Sequence, residues 1–418
     1  MKHLIVSVAG LGFADVLRHW EGRLGGLSFR PAESVFPAVT CTAQASFRTG
    51  LLPREHGMVS NGVFLRSLLR PSFWEQSAAL VRGPRIWEAA RRAGRTVGIL
   101  FWQQSLGEAA DVVVSPAPIH KHGGGTILGC SVRPAELGAK LEASFGAFPL
   151  FRYWGPLASS KIGDAVAGYA EAVARGADPD DLFVYLPTLD YDLQRFGPED
   201  ARAGKAFAAA ASQLSRLAAL AEKAGAEFTA FGDYAITQVT APPAFPNRLL
   251  REKGFFLTRG VKGMAYPDIF FSKAFAMADH EIAHVYVRNP GDVAAVADLF
   301  RASGEYAEVA ERTPSAEWGA ATAGEILLVA KEGSWCAYPW WTDPREAPDF
   351  AGHVDIHNKP GYDPCELFFE RGLRFPPPTA RDASRIRGTH GRKCGIAWAS
   401  TCVKDAESLV ALARAVPL

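Results

Sequence analysis

Along the chain, short runs of β-branched and aromatic residues alternate with helical, alanine-rich stretches. That alternation is the pattern of a sheet sandwiched between helices, an α/β arrangement. The apolar runs predict strands at Leu4 to Val8, Thr96 to Phe101, Leu182 to Leu186, Glu227 to Phe231, Ala283 to Val287 and Glu325 to Ala330. A helix is expected after Gly197 and Pro198, with Glu199 and Asp200 in its first turn and its end near Gly225. Acidic residues at the start and glycine at the end suit the helix dipole and a C-cap. At Thr240 to Pro246 the string TAPPAFP interrupts the alternation. From there to about Pro344 the chain carries its own signals, including a helix Pro290 to Ala302, and reads as a small inserted α+β subdomain. The expected organisation is a core of residues 1–240 and 345–418 with an insertion at 241–344.

Length and charge narrow this picture. At 418 residues, two or three modules are expected at about 150 residues each. Lys and Arg total 45 against 44 Asp and Glu, which gives no electrostatic case for a nucleic-acid polymer or an anionic membrane. Any phosphate affinity must be local. Six dispersed cysteines form no C-x-x-C pair and read as free thiols of a reducing compartment. The N-terminal apolar run is short, lacks a small-residue cleavage site and suits a buried strand. No apolar run approaches the ~18 residues of a membrane span. A cytoplasmic protein is expected, and nothing in the sequence signals an oligomeric state.

The chemistry concentrates in Val35 to Gly62, VFPAVTCTAQASFRTGLLPREHGMVSNG. Pro37 ends an extended run, Thr40 follows, and Thr42 is expected to cap a helix starting at Ala43. A hydroxyl there faces free backbone N–H groups, which favour an approaching anion. The ordered set Pro37, Thr40, Thr49-Gly50, Pro53, His56-Gly57 and Asn61 resembles the nucleophile segment of the nucleotide pyrophosphatase/phosphodiesterase branch of the alkaline phosphatase superfamily. The resemblance implies an alkaline-phosphatase-like three-layer core, a central mostly parallel sheet flanked by helices. It implies metal-dependent hydrolysis of a phosphodiester or pyrophosphate bond in a small-molecule phosphate ester, through a covalent phospho-threonine. Thr40 is then the nucleophile and Asn61 an oxyanion donor. His56 is expected to fix the turn.

The same resemblance implies two zinc ions on Asp and His ligands. Asp190, Asp233 and His390 match the pattern, whereas Ala9, Gln194 and Tyr234 stand where an Asp and two His are expected. Two four-coordinate ions would share too few matching ligands, so one or two divalent ions, zinc foremost, are expected on a rearranged set. His280 and His357 are candidates to complete it. In ADHEIAHVYV, His280 and His284 share a face if the segment is a strand. In HVDIHNKPGYDP, Asp355 stands ready to orient His357. Arg195 and Lys359 are candidate phosphate contacts. The strings PAVTCTAQ, DYDLQR, DHEIAHVYV and DIHNKPGYDP resemble a bacterial subgroup of the family with these altered ligands.

Substrate-selecting walls are expected from the insertion; its aromatics Phe255, Phe256, Phe270, Phe271, Trp340 and Trp341 are expected mostly in a core, with stacking on a base or enclosing an apolar group as the alternative, and a rim is expected from Trp74 and Tyr153 to Pro156. A phosphomonoesterase, phosphonate hydrolase or mutase on the same fold is the alternative. Ala9 motivates a third reading, a non-catalytic relative that binds a phosphorylated metabolite.

Overall fold

The computed structural model describes residues 1–122, 125–370 and 378–418. The apolar runs become strands, in chain order β1 (His3–Val8), β2 (Arg30–Glu33), β3 (Val97–Leu100), β4 (Val112–Pro116), β5 (Cys130–Arg133), β6 (Asp181–Leu186), β7 (Glu227–Gly232), β8 (Ala274–Asp279), β9 (Ile282–Val287), β10 (Tyr306–Glu311), β11 (Ile326–Ala330) and β12 (Gly395–Ser400). Eight of them form one sheet in the order β5-β4-β3-β6-β1-β7-β12-β2. Its inner run β4-β3-β6-β1-β7 is parallel, and β5, β12 and β2 are antiparallel additions at the edges. Every residue of β1 and β6 is buried. That is why these strands read as continuous apolar runs: a parallel strand covered on both faces has no solvent side.

Helices pack on this sheet. In chain order they include α1 (Thr40–Thr49), α2 (Lys161–Gly176), α3 (Asp190–Phe196) and α4 (Ala203–Ala224), while α5 (Val293–Ser303) packs on the second sheet described below. Phe47 of α1 stacks on Phe231 of β7 with ring centroids 4.0 Å apart. The long helix starts later than its acidic residues suggest. Glu199 and Asp200 lie before α4, where the Asp200 carboxylate accepts from the Arg202 amide and guanidinium. That local pairing competes with helical hydrogen bonding. The expected helix Pro290 to Ala302 opens with a 3-10 turn, Pro290–Asp292, before α5.

A second sheet, β8-β9-β11-β10, is antiparallel throughout. Phe256, Trp340 and Trp341 fill its core, while Phe270 and Phe271 are exposed. None of these aromatics lines the cavity described below.

The central sheet presents the carboxyl ends of three adjacent strands side by side. Ala9 follows β1, Asp190 opens α3 after β6, and Asp233-Tyr234 follow β7. Ligands of open α/β sheets bind outside such strand ends. Gly232 lets β7 end there: a Cβ at this position would lie 2.2 Å from the Leu11 carbonyl oxygen.

Candidate active site

Thr40 is the first residue of α1, three residues earlier than the capping pattern predicts. Val39 is the N-cap in extended backbone, and the Thr42 hydroxyl is buried without a partner. Propensity at Thr42 is overridden by tertiary packing, because all ten residues of α1 are buried. The side chain of Asn61 supplies a cap instead, accepting from the Cys41 amide at 3.0 Å. His56 fixes the following turn, its Nε2 paired with the Ser46 hydroxyl at 2.8 Å and its Nδ1 accepting from the Met58 amide.

Asp190 is the centre of the polar floor. The Tyr234 hydroxyl donates to its Oδ1 at 2.8 Å and the Gln194 amide donates to its Oδ2 at 2.8 Å. The Tyr362 hydroxyl in turn donates to Gln194 Oε1 at 2.6 Å. Between the two tyrosines runs a column of rings: Tyr234 on His390 at 3.5 Å, His390 against His280 at 3.6 Å, and His280 on Tyr362 at 3.7 Å. Asp190, Tyr234, His390, His280, Tyr362 and Gln194 therefore form a closed loop. The Thr40 hydroxyl reaches this loop through a long contact of 3.5 Å to the Tyr234 oxygen. Burial raises the Asp190 carboxyl above its usual range, with His280, Gln194 and Tyr234 offsetting part of the effect.

His280 occupies an unexpected backbone state. It is the first residue of the two-residue turn joining β8 to β9, with φ at 59°, so it does not share a strand face with His284. A left-handed backbone costs a non-glycine residue about 1–2 kcal/mol, and such outliers gather at functional positions. The ring is held by Asp279, whose Oδ1 accepts from Nδ1 at 2.8 Å, and its buried Nε2 has no partner. Asp279 also accepts from the Ser60 hydroxyl, the Asn61 amide nitrogen and the Asn61 side chain. Burial opposes ionisation of Asp279, but His280 and the Asn61 and Ser60 donors outweigh it and hold the carboxyl below its usual range. His284 instead sits behind the site, its Nε2 donating to the Val59 carbonyl at 3.0 Å.

These groups open into a cavity of about 400 Å³ lined by Thr40, Asp190, Tyr234, His280, His357 and His390 among others. Trp74, Tyr153, Trp154 and Pro156 are in its wall, where the sequence places a rim. Asn61 stands behind that wall, spent on Asp279 and the α1 N-terminus, which replaces the expected oxyanion contact. Asp233 is fully buried behind it too, its Oδ1 accepting from the Gly10 and Tyr234 amides and its Oδ2 unpartnered. Burial pushes Asp233 well above the usual carboxylate range despite those amides.

The two expected phosphate contacts are turned away. Lys359 Nζ is buried against the His353 carbonyl, Asp363 and Glu366, one acceptor for each of its three donors. Arg195 ties loops together through the carbonyls of Leu367, Ala158, Gly155 and Pro156. His357 lines the cavity, but its Nδ1 pairs with the Phe73 carbonyl at 3.1 Å, and Asp355 holds Asn358 instead. Tyr362, which sequence reasoning missed, lies in the turn-rich string HVDIHNKPGYDP, and only the fold brings it to Gln194.

The donor set does not fit the two-zinc site that the resemblance implies. Ala9 offers no donor and both oxygens of Asp190 are taken by Tyr234 and Gln194, whereas His390, with Nδ1 on the Ala38 carbonyl at 2.8 Å, keeps Nε2 available as a ligand. Asp233 Oδ2, His280 Nε2 and His390 Nε2 are too few to hold two four-coordinate ions. Among the described residues no group of three or more His, Cys, Asp or Glu gathers as a metal site would require.

No curated protein matches the sequence closely enough to count as a relative. Solved structures do match in fold. Murine ectonucleotide pyrophosphatase/phosphodiesterase 5 superposes with a TM-score of 0.58 at 16% identity, over 96% of this chain and 88% of that one. Phosphonoacetate hydrolase from Sinorhizobium meliloti 1021, in complex with phosphonoacetate, gives 0.60 at 15% identity over 96% and 89%. An inactive form of the murine protein in complex with AMP gives 0.56 at 15% over 96% and 87%. The α/β core thus shares the fold of these structures. The sequence profile of the type I phosphodiesterase / nucleotide pyrophosphatase family matches residues 14–363, and the chain belongs to that family of hydrolases.

Proposed function

We propose that the chain hydrolyses a phosphodiester, with Thr40 attacking phosphorus and a covalent phospho-threonine as the intermediate. The observation that carries this reading is the directed chain from the Thr40 hydroxyl through the Tyr234 hydroxyl to Asp190 Oδ1. A threonine hydroxyl is a weak nucleophile unless a base or a metal takes its proton. Tyr234 has one hydrogen, already given to Asp190, so its oxygen is free to accept from Thr40. As Thr40 attacks, its proton moves to Tyr234 while the Tyr234 proton moves to Asp190. Burial makes Asp190 a stronger base than an exposed aspartate, which favours this transfer.

The rest of the cycle falls to the Asp279–His280 pair. His280 Nε2 gives a proton to the departing alcohol, and the Asp279 carboxylate supports the imidazolium before that step. Water then attacks phosphorus, losing a proton to His280 Nε2. Thr40 leaves with the proton held on Asp190, returned through Tyr234, and every group regains its starting state. The divalent-metal dependence implied by the resemblance enters no step, since Asp190, Gln194 and Tyr234 are bonded to one another.

A phosphodiester is favoured over a pyrophosphate because the described cavity lining contains no Lys or Arg to neutralise a second phosphate. Free cysteines throughout the chain support a reducing, cytoplasmic setting. Turnover of bis-p-nitrophenyl phosphate against p-nitrophenyl phosphate tests the proposal, with Thr40→Ala as control. The diester is expected to turn over faster and the variant to be inactive; equal activity of Thr40→Ala and the parent chain would sink it.

A further inference from the structure

The cavity is polar at its floor and apolar above it. Its wall is built from Trp74, Leu150, Tyr153, Trp154, Tyr191 and Ile356. At the mouth stand Leu128, Phe151, Leu157, Val354 and Phe369, which line the same cavity and are still 48%, 44%, 52%, 47% and 41% exposed. Beside them Ile119 and Ile127 face each other across a short hairpin, both exposed. These side chains come from separate stretches of the chain. Single exposed apolar residues are ordinary, but a contiguous group around a concave site marks what the site binds.

Charge points the same way. The charged side chains of the described lining are the acidic Asp190 and Asp355, accompanied by histidines. A polyanionic ligand would meet carboxylates and no permanent cation, a mismatch that selects against it. The volume suits a small organic molecule, within the ~300–1,000 Å³ usual for such sites.

We infer that the substrate carries a single phosphoryl centre on a large, uncharged, apolar body, an alkyl chain or fused hydrocarbon rings, which lies along the Trp74–Trp154 wall and extends past the Phe151–Leu157 rim. The position of phosphorus rests on the reading of Thr40 as nucleophile; the apolar body rests on the wall and rim alone.

The experiment measures binding without turnover. Thr40→Ala protein is titrated with methyl, butyl and octyl phosphate and with AMP, and tryptophan fluorescence from Trp74 and Trp154 reports occupancy. Affinity is expected to rise about fourfold for each added methylene, so that octyl phosphate, with seven more than methyl phosphate, binds about ten-thousandfold more tightly if the whole chain is covered. Octyl phosphate is also expected to bind more tightly than AMP. A flat series, or AMP as the tightest ligand, overturns the inference. Phe151→Ser combined with Leu157→Ser changes partly exposed side chains and is expected to flatten the series; an unchanged slope contradicts the assigned rim. Co-sedimentation with phosphatidylcholine vesicles together with a flat soluble series would assign the rim to a lipid surface and overturn the inference. Failure of the Thr40 chemistry leaves this measurement standing, and a trapped phospho-threonine alongside a flat series sinks only the apolar substrate.

Discussion

The floor and the mouth of the cavity are built on opposite principles. At the floor, Asp190, Gln194, Tyr234 and Tyr362 are buried and bonded to one another, and the four-ring column fixes their relative positions. At the mouth, Leu128, Phe151 and Leu157 are half exposed and belong to no such network. A buried polar network tolerates no missing member, because each lost partner leaves an unsatisfied group. An exposed apolar rim loses affinity by degrees. Substitutions at the floor should therefore act on rate in large steps, and those at the mouth on substrate preference in small ones.

The largest expected effect is at the nucleophile. Thr40→Ala should lower kcat by at least about a thousandfold with only a small fall in the thermal transition, since the hydroxyl and γ-methyl it removes lie beside the cavity and the other buried residues of α1 are unchanged. Steady-state kinetics with a calorimetric scan checks both. Tyr234→Phe comes next. It keeps the stack on His390 but removes the hydroxyl between Thr40 and Asp190, and a drop of roughly a hundredfold to ten-thousandfold is expected. Activity of the parent chain should fall towards acid as Asp190 takes up a proton and can no longer accept one. A Tyr234→Phe variant with parental kcat would break the distinction between floor and mouth.

A third prediction concerns stability. Burial pushes His284 from its ordinary 6.5 down to about 4. Between those values the unfolded chain binds a proton that the folded chain refuses, so stability is complete above pH 6.5 and is lost as pH falls to about 4. The loss is roughly 3 kcal/mol at most. Urea midpoints measured across this range should decline with falling pH, and His284→Gln should flatten the decline. The smallest expected change is that from a chelator. Because the floor carboxylate is already satisfied by protein donors, turnover after exhaustive treatment with EDTA should match the untreated protein. Loss of activity restored by a divalent ion would show that Tyr234 and Gln194 yield Asp190 to a metal.

Much of this was legible in the sequence, and the boundary has a physical basis. Continuous apolar runs such as His3–Val8 and Asp181–Leu186 announce buried parallel strands because both faces demand apolar residues. The nucleophile segment is likewise local, and Thr40, His56 and Asn61 sit within one stretch of chain. What stayed hidden is nonlocal. Gln194 and Tyr234 look like lost ligands when read one at a time, yet they converge on a single carboxylate, with Tyr362, 168 residues from Gln194, holding the Gln194 amide. Arg195 looks like a phosphate contact until the fold supplies four distant carbonyls to absorb it, whereas Lys359 is taken by Asp363 and Glu366 of its own loop. The left-handed His280 is set by the hairpin between β8 and β9, and its neighbours in sequence carry no glycine to signal it.

The central claim is that Thr40 becomes covalently attached to phosphorus. Acid quenching during turnover of bis-p-nitrophenyl phosphate, followed by proteolysis and mass mapping, tests it directly. A phosphoryl-ester adduct on the peptide containing Thr40, absent from Thr40→Ala, is the expected result. Continued turnover with no adduct at Thr40, or an adduct at another side chain, would contradict it.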